Sequence, residues 1–276
     1  MKIYRSPLRL IGTAIACGFA NSTSFAETRD LSAPTEINGV PCQHQVELHS
    51  KGAIKRCTLS RDYTVAGVAL PIGTELQFNG AGEVEACRLG QPAILAGLAL
   101  PAGSAVQFHQ SKMFSGTLPQ ATSIRGLLLP TKATLFFSNV WEPEVHDTWR
   151  CWLPAKTLLQ GHLCTATEDG IGHVIYLSGK LRAIWLAQDE EIDGVPCTSS
   201  QNPLRMPMRL LFYGTDCMAW FYENGHLQQG LVSRDCTIQG RKCKAGDIVR
   251  LTLDGQLDPS QKTLGVSSRG PVVPGR

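Results

Sequence analysis

The sequence predicts an all-β protein built from about seven tandem β-hairpin units of about 29 residues each, arranged as an extended sheet or a β-solenoid. Three observations favour this fold. The chain has 27 Gly and 16 Pro among 276 residues, and only 18% of its residues are charged, which is typical of a turn-rich globular protein. No segment sustains an amphipathic helical period. A Leu and a Gly recur at a fixed spacing along most of the chain.

The repeat is anchored by this Leu and by a Gly eight residues later. The anchor pairs are Leu59/Gly67, Leu89/Gly97, Leu118/Gly126, Leu153/Gly161, Leu186/Gly194 and Val232/Gly240, with Leu31/Gly39 as a partial earlier copy. An apolar residue stands two before each later glycine, and a Leu or a Cys stands three after it. Because one such unit is too small to bury its own apolar face, the units must stack or pair to form a core.

The second half of the unit predicts a β-hairpin. The segments VELHSKGAI, LQFNGAGEV, VIYLSGKL, WFYENGHL and VRLTLDGQL share an apolar-x-apolar strand, a polar turn and a Gly. Glycine accepts the positive φ that such turns require. Each unit is thus expected to hold about three short strands. A closed, propeller-like array is the alternative, but a four-stranded blade usually takes about 40 residues or more.

The segment WFYENGHLQQG at 220–230 resembles the variant MORN repeat, whose unit reads roughly aromatic-Tyr-x-Asn-Gly-x-Leu. Segments 46–54 and 76–84 match it more loosely. The resemblance implies tandem β-hairpins in an extended sheet and a role in binding or scaffolding.

Breaks in the repeat divide the chain into segments. These are a signal peptide (1–26), the N-terminal part of the array (27–137), an aromatic and acidic insertion (138–148), the middle part of the array (149–197), a second insertion (198–219), the C-terminal part of the array (220–258) and a flexible C-terminal tail (259–276).

The N-terminal segment is typical of a secretory signal peptide. A basic start is followed by the apolar run 10–20 and by a polar stretch that ends in the small-x-small motif of residues 24–26. The mature chain is expected in the periplasm or outside the cell. The alternative is an outer-membrane lipoprotein anchored at Cys17, because residues 14–18 are similar to a lipobox. No later run is long and apolar enough to predict a transmembrane segment.

Charge argues against a nucleic-acid partner. The leader carries Lys2, Arg5 and Arg9, and its removal lowers the 26 basic residues to 23, equal to the 23 acidic residues. Phosphate binding needs a surplus of Lys and Arg on one face, and the mature chain has no such surplus.

Nine cysteines remain after the leader is removed, and most of them occupy two repeat positions, one of which holds Leu in other units. Buried, unreactive thiols are the simplest interpretation. Cys236 and Cys243 flank the turn at 239–240 and are the candidate disulfide. Stacked solenoid rungs would instead bring Cys57 near Cys87, or Cys164 near Cys197.

The candidate ligand-binding residues lie in and beside the first insertion. They are Trp141, Glu142, Glu144, His146 and Trp149. Aromatic rings beside carboxylates suit a carbohydrate or protein partner, and irregular loops on repeat scaffolds often carry function. The competing interpretation is that the rings pack over a junction between two parts of the array.

No known catalytic motif occurs, and the spacing of His and Cys fits no standard metal site, so neither a cofactor nor a metal is expected. The function predicted from the sequence is a non-enzymatic binding or scaffold module of the bacterial cell envelope. The alternative is a secreted hydrolase or transferase with a site in 138–175, where His162, Cys164 and His173 could form a Cys–His couple.

Overall fold

The computed structural model of the protein describes residues 27–65, 67–109, 112–137, 148–167, 172–200 and 218–260. The predicted signal peptide and most of the predicted insertions and tail lie outside these residues. The first strands are Glu27–Asp30 (β1), Thr35–Ile37 (β2), Val40–Leu48 (β3), Ile54–Leu59 (β4), Tyr63–Val65 (β5), Val68–Leu70 (β6), Glu75–Phe78 (β7), Val84–Arg88 (β8), Ala93–Leu95 (β9), Leu98–Leu100 (β10), Ala105–His109 (β11), Lys112–Thr117 (β12), Thr122–Ile124 (β13) and Leu127–Leu129 (β14).

The chain continues with strands throughout its second half. They are Thr134–Phe136 (β15), Thr148–Trp152 (β16), Thr157–Leu159 (β17), His162–Cys164 (β18), His173–Tyr176 (β19), Leu181–Ile184 (β20), Glu190–Ile192 (β21), Val195–Cys197 (β22), Ala219–Phe221 (β23), Leu227–Leu231 (β24), Cys236–Ile238 (β25), Arg241–Cys243 (β26) and Ile248–Arg250 (β27). Within the described ranges, the chain forms no helix that is long and apolar enough to cross a bilayer.

One long antiparallel sheet runs the length of the array. Its strand order is β1-β3-β4-β7-β8-β11-β12-β15-β16-β19-β20-β23-β24-β27, and β2 pairs with β3 beside this path. Strands are therefore added in hairpin order, and the two ends of the described path do not pair with each other. The prediction of an all-β extended sheet is confirmed, and the described strands form neither a solenoid nor a closed propeller.

Small two-stranded hairpins lie between successive strand pairs of the long sheet. They are β5–β6, β9–β10, β13–β14, β17–β18, β21–β22 and β25–β26. Each holds the Leu-x7-Gly half of a unit, so a unit has four short strands and not about three. The estimate from sequence was too low because strands of three residues are too short to show an alternating pattern.

The repeated glycine closes each small hairpin with a two-residue turn. Where both turn residues are described, the first has φ between 46° and 50° and the glycine has φ between 76° and 95°. These turns are Asn38/Gly39, Ala96/Gly97, Arg125/Gly126, Gln160/Gly161, Asp193/Gly194 and Gln239/Gly240. Two positive φ values in succession are the type I′ geometry, whose twist matches that of the flanking strands.

The anchor Leu ties each small hairpin to the long sheet through its backbone. In one unit, Leu59 N–H donates to Thr74 O at 2.9 Å, and Gly73 N–H donates to Leu59 O at 2.9 Å. Leu89 makes the equivalent pair with Ser104 and Gly103. The side chains of Leu59 and Leu89 are buried in the core that the sheet and the hairpins share. One residue type at this position therefore fixes both the backbone and the packing of a unit.

The recurring Asp three residues after the anchor also has a structural role. Asp62, Asp189 and Asp235 each accept a hydrogen bond, at 2.7 to 2.8 Å, from the backbone N–H of the residue ten positions later. The carboxylate thus joins the start of the small hairpin to the turn after it.

Candidate functional site

The predicted ligand-binding loop is largely outside the described residues. Trp141, Glu142, Glu144 and His146 belong to 138–147, for which the structure describes nothing. Trp149 lies in β16 opposite Ile175 of β19, is 3% exposed and belongs to the main core. Its indole Nε1 is one of three buried side-chain atoms without a hydrogen-bond partner in the described ranges. Trp149 therefore packs in the core.

An aromatic cluster stands on the opposite face of the long sheet, where the predicted loop joins β15 and β16. The ring centroids of Phe136 and Trp152 are 4.4 Å apart, and those of Phe114 and Phe136 are 5.5 Å apart with the rings nearly perpendicular. All three side chains are half-buried. Phe136 and Trp152 were visible in the sequence as part of an aromatic-rich segment, whereas Phe114 was missed because it lies in β12, three strands before β15 along the chain.

The residues of the possible Cys–His couple do not form one. The Cys164 thiol donates to the backbone carbonyl of His162 at 3.6 Å, while His162 Nδ1 lies 2.7 Å from Glu190 Oε1. Burial, reinforced by Glu190, raises the pKa of the Cys164 thiol to about 12. A catalytic cysteine needs a lowered pKa, so this environment opposes activation.

His173 is a buried residue with both ring nitrogens satisfied by backbone. Nε2–H donates to Thr165 O at 3.0 Å, and Nδ1 accepts a hydrogen bond from Trp185 N–H at 3.3 Å. Burial lowers the pKa of His173 to about 4, against a weaker opposing effect of its bond to Thr165. The ring is neutral near pH 7 and acts as a structural bridge between strands.

The candidate disulfide residues are direct cross-strand partners. Cys236 of β25 pairs with Cys243 of β26 in the small hairpin that Gln239 and Gly240 close. Cys243 is buried and Cys236 is partly exposed, and both are thiols in this structure. The pairing of Cys57 with Cys87 that a solenoid would give is excluded. Cys57 in β4 and Cys87 in β8 lie on the two sides of β7, and each is opposite Leu76.

A cavity of about 210 Å³ lies beside β3 and β4. Its charged side chains largely pair with one another, since Arg56 contacts Glu47 at 3.5 Å and Glu75 at 3.2 Å. Among the described residues, no group of three or more His, Cys, Asp or Glu side chains could hold a metal ion.

The outer face of the small hairpins carries an exposed apolar row. Ile94 of β9 is 76% exposed, and Leu128 of β14 and Leu158 of β17 are each 65% exposed. These are the central residues of strands in three consecutive hairpins, and each hairpin packs beside the next. Consecutive units are two sheet strands apart, or about 10 Å, so the row is about 20 Å long. We name Ile94, Leu128 and Leu158 the hairpin row.

The three hairpins that carry the hairpin row contain basic side chains but no acidic ones of their own. The described segments 91–104, 119–133 and 154–164 form the three hairpins and their adjoining turns, and they contain Arg125, Lys132 and Lys156 but no Asp or Glu. All three cations are exposed. In the next hairpin the equivalent outward position holds Glu191, and the last hairpin has Thr237 there. The apolar character of this face is therefore confined to the middle of the array.

Comparison of the chain with models of known protein families, with curated proteins and with solved structures gave no match.

Proposed function

We propose that the chain is a non-enzymatic binding or scaffold module of the bacterial cell envelope, and that it binds a protein partner through the hairpin row. The observation that carries the proposal is the exposure of three large aliphatic side chains on three consecutive hairpins. Soluble proteins rarely expose apolar side chains in a contiguous row unless it is a contact surface. The flanking cations favour a partner whose apolar contact surface has an acidic rim.

Other features support a binding role over catalysis. The Cys164 thiol and the His173 imidazole, which are candidates for a nucleophile and a base, are buried in environments that oppose those roles. The open sheet of hairpins is also the arrangement that the MORN resemblance implies, and it supports a scaffold built from repeated units. Such arrays present extended surfaces made of equivalent positions in successive units.

Export is part of the proposal. An N-terminus at Glu27 in the periplasmic fraction, measured by intact mass, supports export by this route. A lipid-modified N-terminus at Cys17 would contradict cleavage after Ala26 and support the lipoprotein alternative.

The binding surface is tested by site-specific photo-crosslinking in intact cells. A photoreactive amino acid at Leu128 is expected to capture a protein that the same group at Thr237 does not. The captured protein is then purified, and its affinity is measured for the wild type and for the triple variant I94S/L128S/L158S. Burying one such side chain is worth about 1.5–3 kcal/mol, so we expect a loss of at least about tenfold per residue.

The matched control carries E191S, T237S and K242S, which are substitutions at outward positions of later hairpins. It should bind as the wild type does. Equal affinity of the triple variant and the wild type would refute the proposed surface. Capture of only a second copy of this chain, with loss of the dimer in the triple variant, would make the hairpin row a homodimer interface.

A carbohydrate ligand at the aromatic cluster is the second candidate, favoured by the contact between Phe136 and Trp152 beside the loop that carries Trp141 and Glu142. Half-buried rings on a sheet face can stack against sugar rings. A glycan array probed with the wild type and with Trp152→Ala tests it, and a set of glycans bound equally by both proteins would exclude this cluster.

A further inference from the structure

Cys42 and Cys57 lie on neighbouring strands and face the same side of the sheet. Cys42 of β3 is opposite Leu59 of β4, and Cys57 lies two residues before Leu59. Since side chains two apart on a strand point to the same face, both thiols point into the core. They are 0% and 1% exposed, respectively.

A bulge in β3 gives this pair an unusual environment. The register between β3 and β4 moves from Gln43 opposite Thr58 to Glu47 opposite Arg56. Three residues of β3 thus face the single residue Cys57, and His44 in the bulge has a φ of 63°. A bulge of this kind bends its strand and re-aims side chains. The Cys42 thiol donates to Val40 O at 3.4 Å, and a side-chain hydrogen bond with Cys57 is the main cause of its lowered pKa, so the two thiols are close neighbours in the core. Both cysteines are free thiols in this structure.

This proximity distinguishes the pair from the other cysteines in comparable positions. Cys57 and Cys87 occupy the same place in successive units, two residues before the anchor Leu. Cys87 lies opposite Leu76 on one side and Val106 on the other. Cys87 therefore has apolar cross-strand neighbours where Cys57 has a thiol.

We propose that Cys42 and Cys57 form a disulfide that links β3 to β4 in the exported protein. The inference rests on the proposed export, because disulfides persist in oxidising compartments. Its oxidant is a disulfide donor, either a small-molecule disulfide or the active-site disulfide of a thiol oxidase. The Cys42 thiolate attacks the donor and releases one thiolate, which takes up a proton. The Cys57 thiolate then attacks the Cys42 sulfur and releases the second thiolate of the donor, which also takes up a proton. Two protein thiols are oxidised and one donor disulfide is reduced to two thiols.

In the folded chain the hydrogen bond between the two thiols lowers the pKa of Cys42 and, together with burial, raises that of Cys57. The exchange needs both thiolates in turn, and the folded chain buries both sulfurs. It therefore takes place while β3 and β4 are pairing, before burial raises the pKa of Cys57.

The test is refolding of the reduced, denatured mature chain in a glutathione redox buffer, followed by alkylation and tryptic mapping. Lys51, Lys55 and Arg56 separate the two cysteines, so a Cys42–Cys57 bond appears as two linked peptides. We expect this linked pair in most of the refolded protein and a mass lower by about 2 Da for the bond. Alkylation of both Cys42 and Cys57 in well-refolded protein would overturn the proposal, as would linkage of either residue to another cysteine.

Matched variants separate the bond from general effects of thiol removal. The double variant C42V/C57A should refold without the linked peptides, and its Tm should not change when reductant is added. Cys87→Ala removes the equivalent thiol of the next unit and should keep both the linked peptides and the reductant-dependent fall in Tm. Because refolding is done in vitro, failure to form the bond is distinguishable from failure of export, which the N-terminus of the cellular protein reports.

Discussion

Protonation of His173 should destabilise the protein as the pH falls below about 6.5. His173 is fully buried, and its Nδ1 accepts a backbone hydrogen bond that the protonated ring could not accept. Its pKa is lowered from 6.5 to about 4 in the folded state. The unfolded chain therefore binds the proton first, and stability falls between the two pKa values. The full difference amounts to about 3 kcal/mol, at about 1.4 kcal/mol per unit of pKa.

The perturbation that isolates this effect is His173→Gln, which keeps a polar side chain but removes the titration. At pH 7 we expect the variant to be less stable by about 1 kcal/mol, since Gln reproduces the two backbone bonds imperfectly. At pH 4.5 the wild type should be the less stable protein. The two curves of unfolding free energy against pH should therefore cross between about pH 5 and 6.

The assay is urea unfolding followed by tryptophan fluorescence at intervals from pH 4.5 to 8. His109→Gln is the control, because His109 is exposed at the end of β11 and its substitution leaves His173 in place. The control should follow the wild-type curve. Parallel curves for the wild type and His173→Gln over the whole range would refute the reasoning. They would show that the folded chain binds a proton at His173 as readily as the unfolded chain does.

Three further outcomes follow from the repeat. Leu89→Ala should lower the free energy of unfolding by about 3 kcal/mol, whereas Ile94→Ala, at an exposed position, should change it by less than about 0.5 kcal/mol. Urea titration measures both variants, and equal effects would contradict the assignment of Leu89 to the core. Ala96→Gly should raise stability by about 1 kcal/mol in the same assay, because Ala96 has a φ of 47°, and a loss of stability would show that the turn is not strained. Cys164, with a thiol pKa of about 12, should react with iodoacetamide at pH 8 at least about a thousandfold more slowly in the native than in the unfolded chain; labelling at similar rates would show that the thiol is not buried.

The architecture could be predicted from the sequence because each unit repeats the same pattern of Leu and Gly residues. Gly97 and Gly126 mark turns that require positive φ, and Leu89 and Leu118 mark positions where backbone and side chain are fixed together. These signals are local, so reading one unit predicts the others. The fourth strand of each unit was missed, because a three-residue strand such as β9 has too few residues to establish a period.

Long-range contacts account for what could not be predicted. The proximity of Cys42 to Cys57 depends on the bulge at His44. The sequence of residues 43–47 does not predict that three of them lie opposite one residue of β4. Phe114 joins the aromatic cluster only because β12 and β15 are neighbours in the sheet. The hairpin row was missed because exposed and buried leucines are indistinguishable until the faces of each hairpin are known.

Because the long sheet is extended by whole hairpins, its length increases in equal steps. The described path contains 14 strands, so its ends are about 60 Å apart along the sheet. Duplication or loss of one unit would change this length by about 10 Å while leaving every other unit with its own anchor and turn. Selection could therefore adjust the spacing between two positions on the array in fixed steps, without redesigning the core.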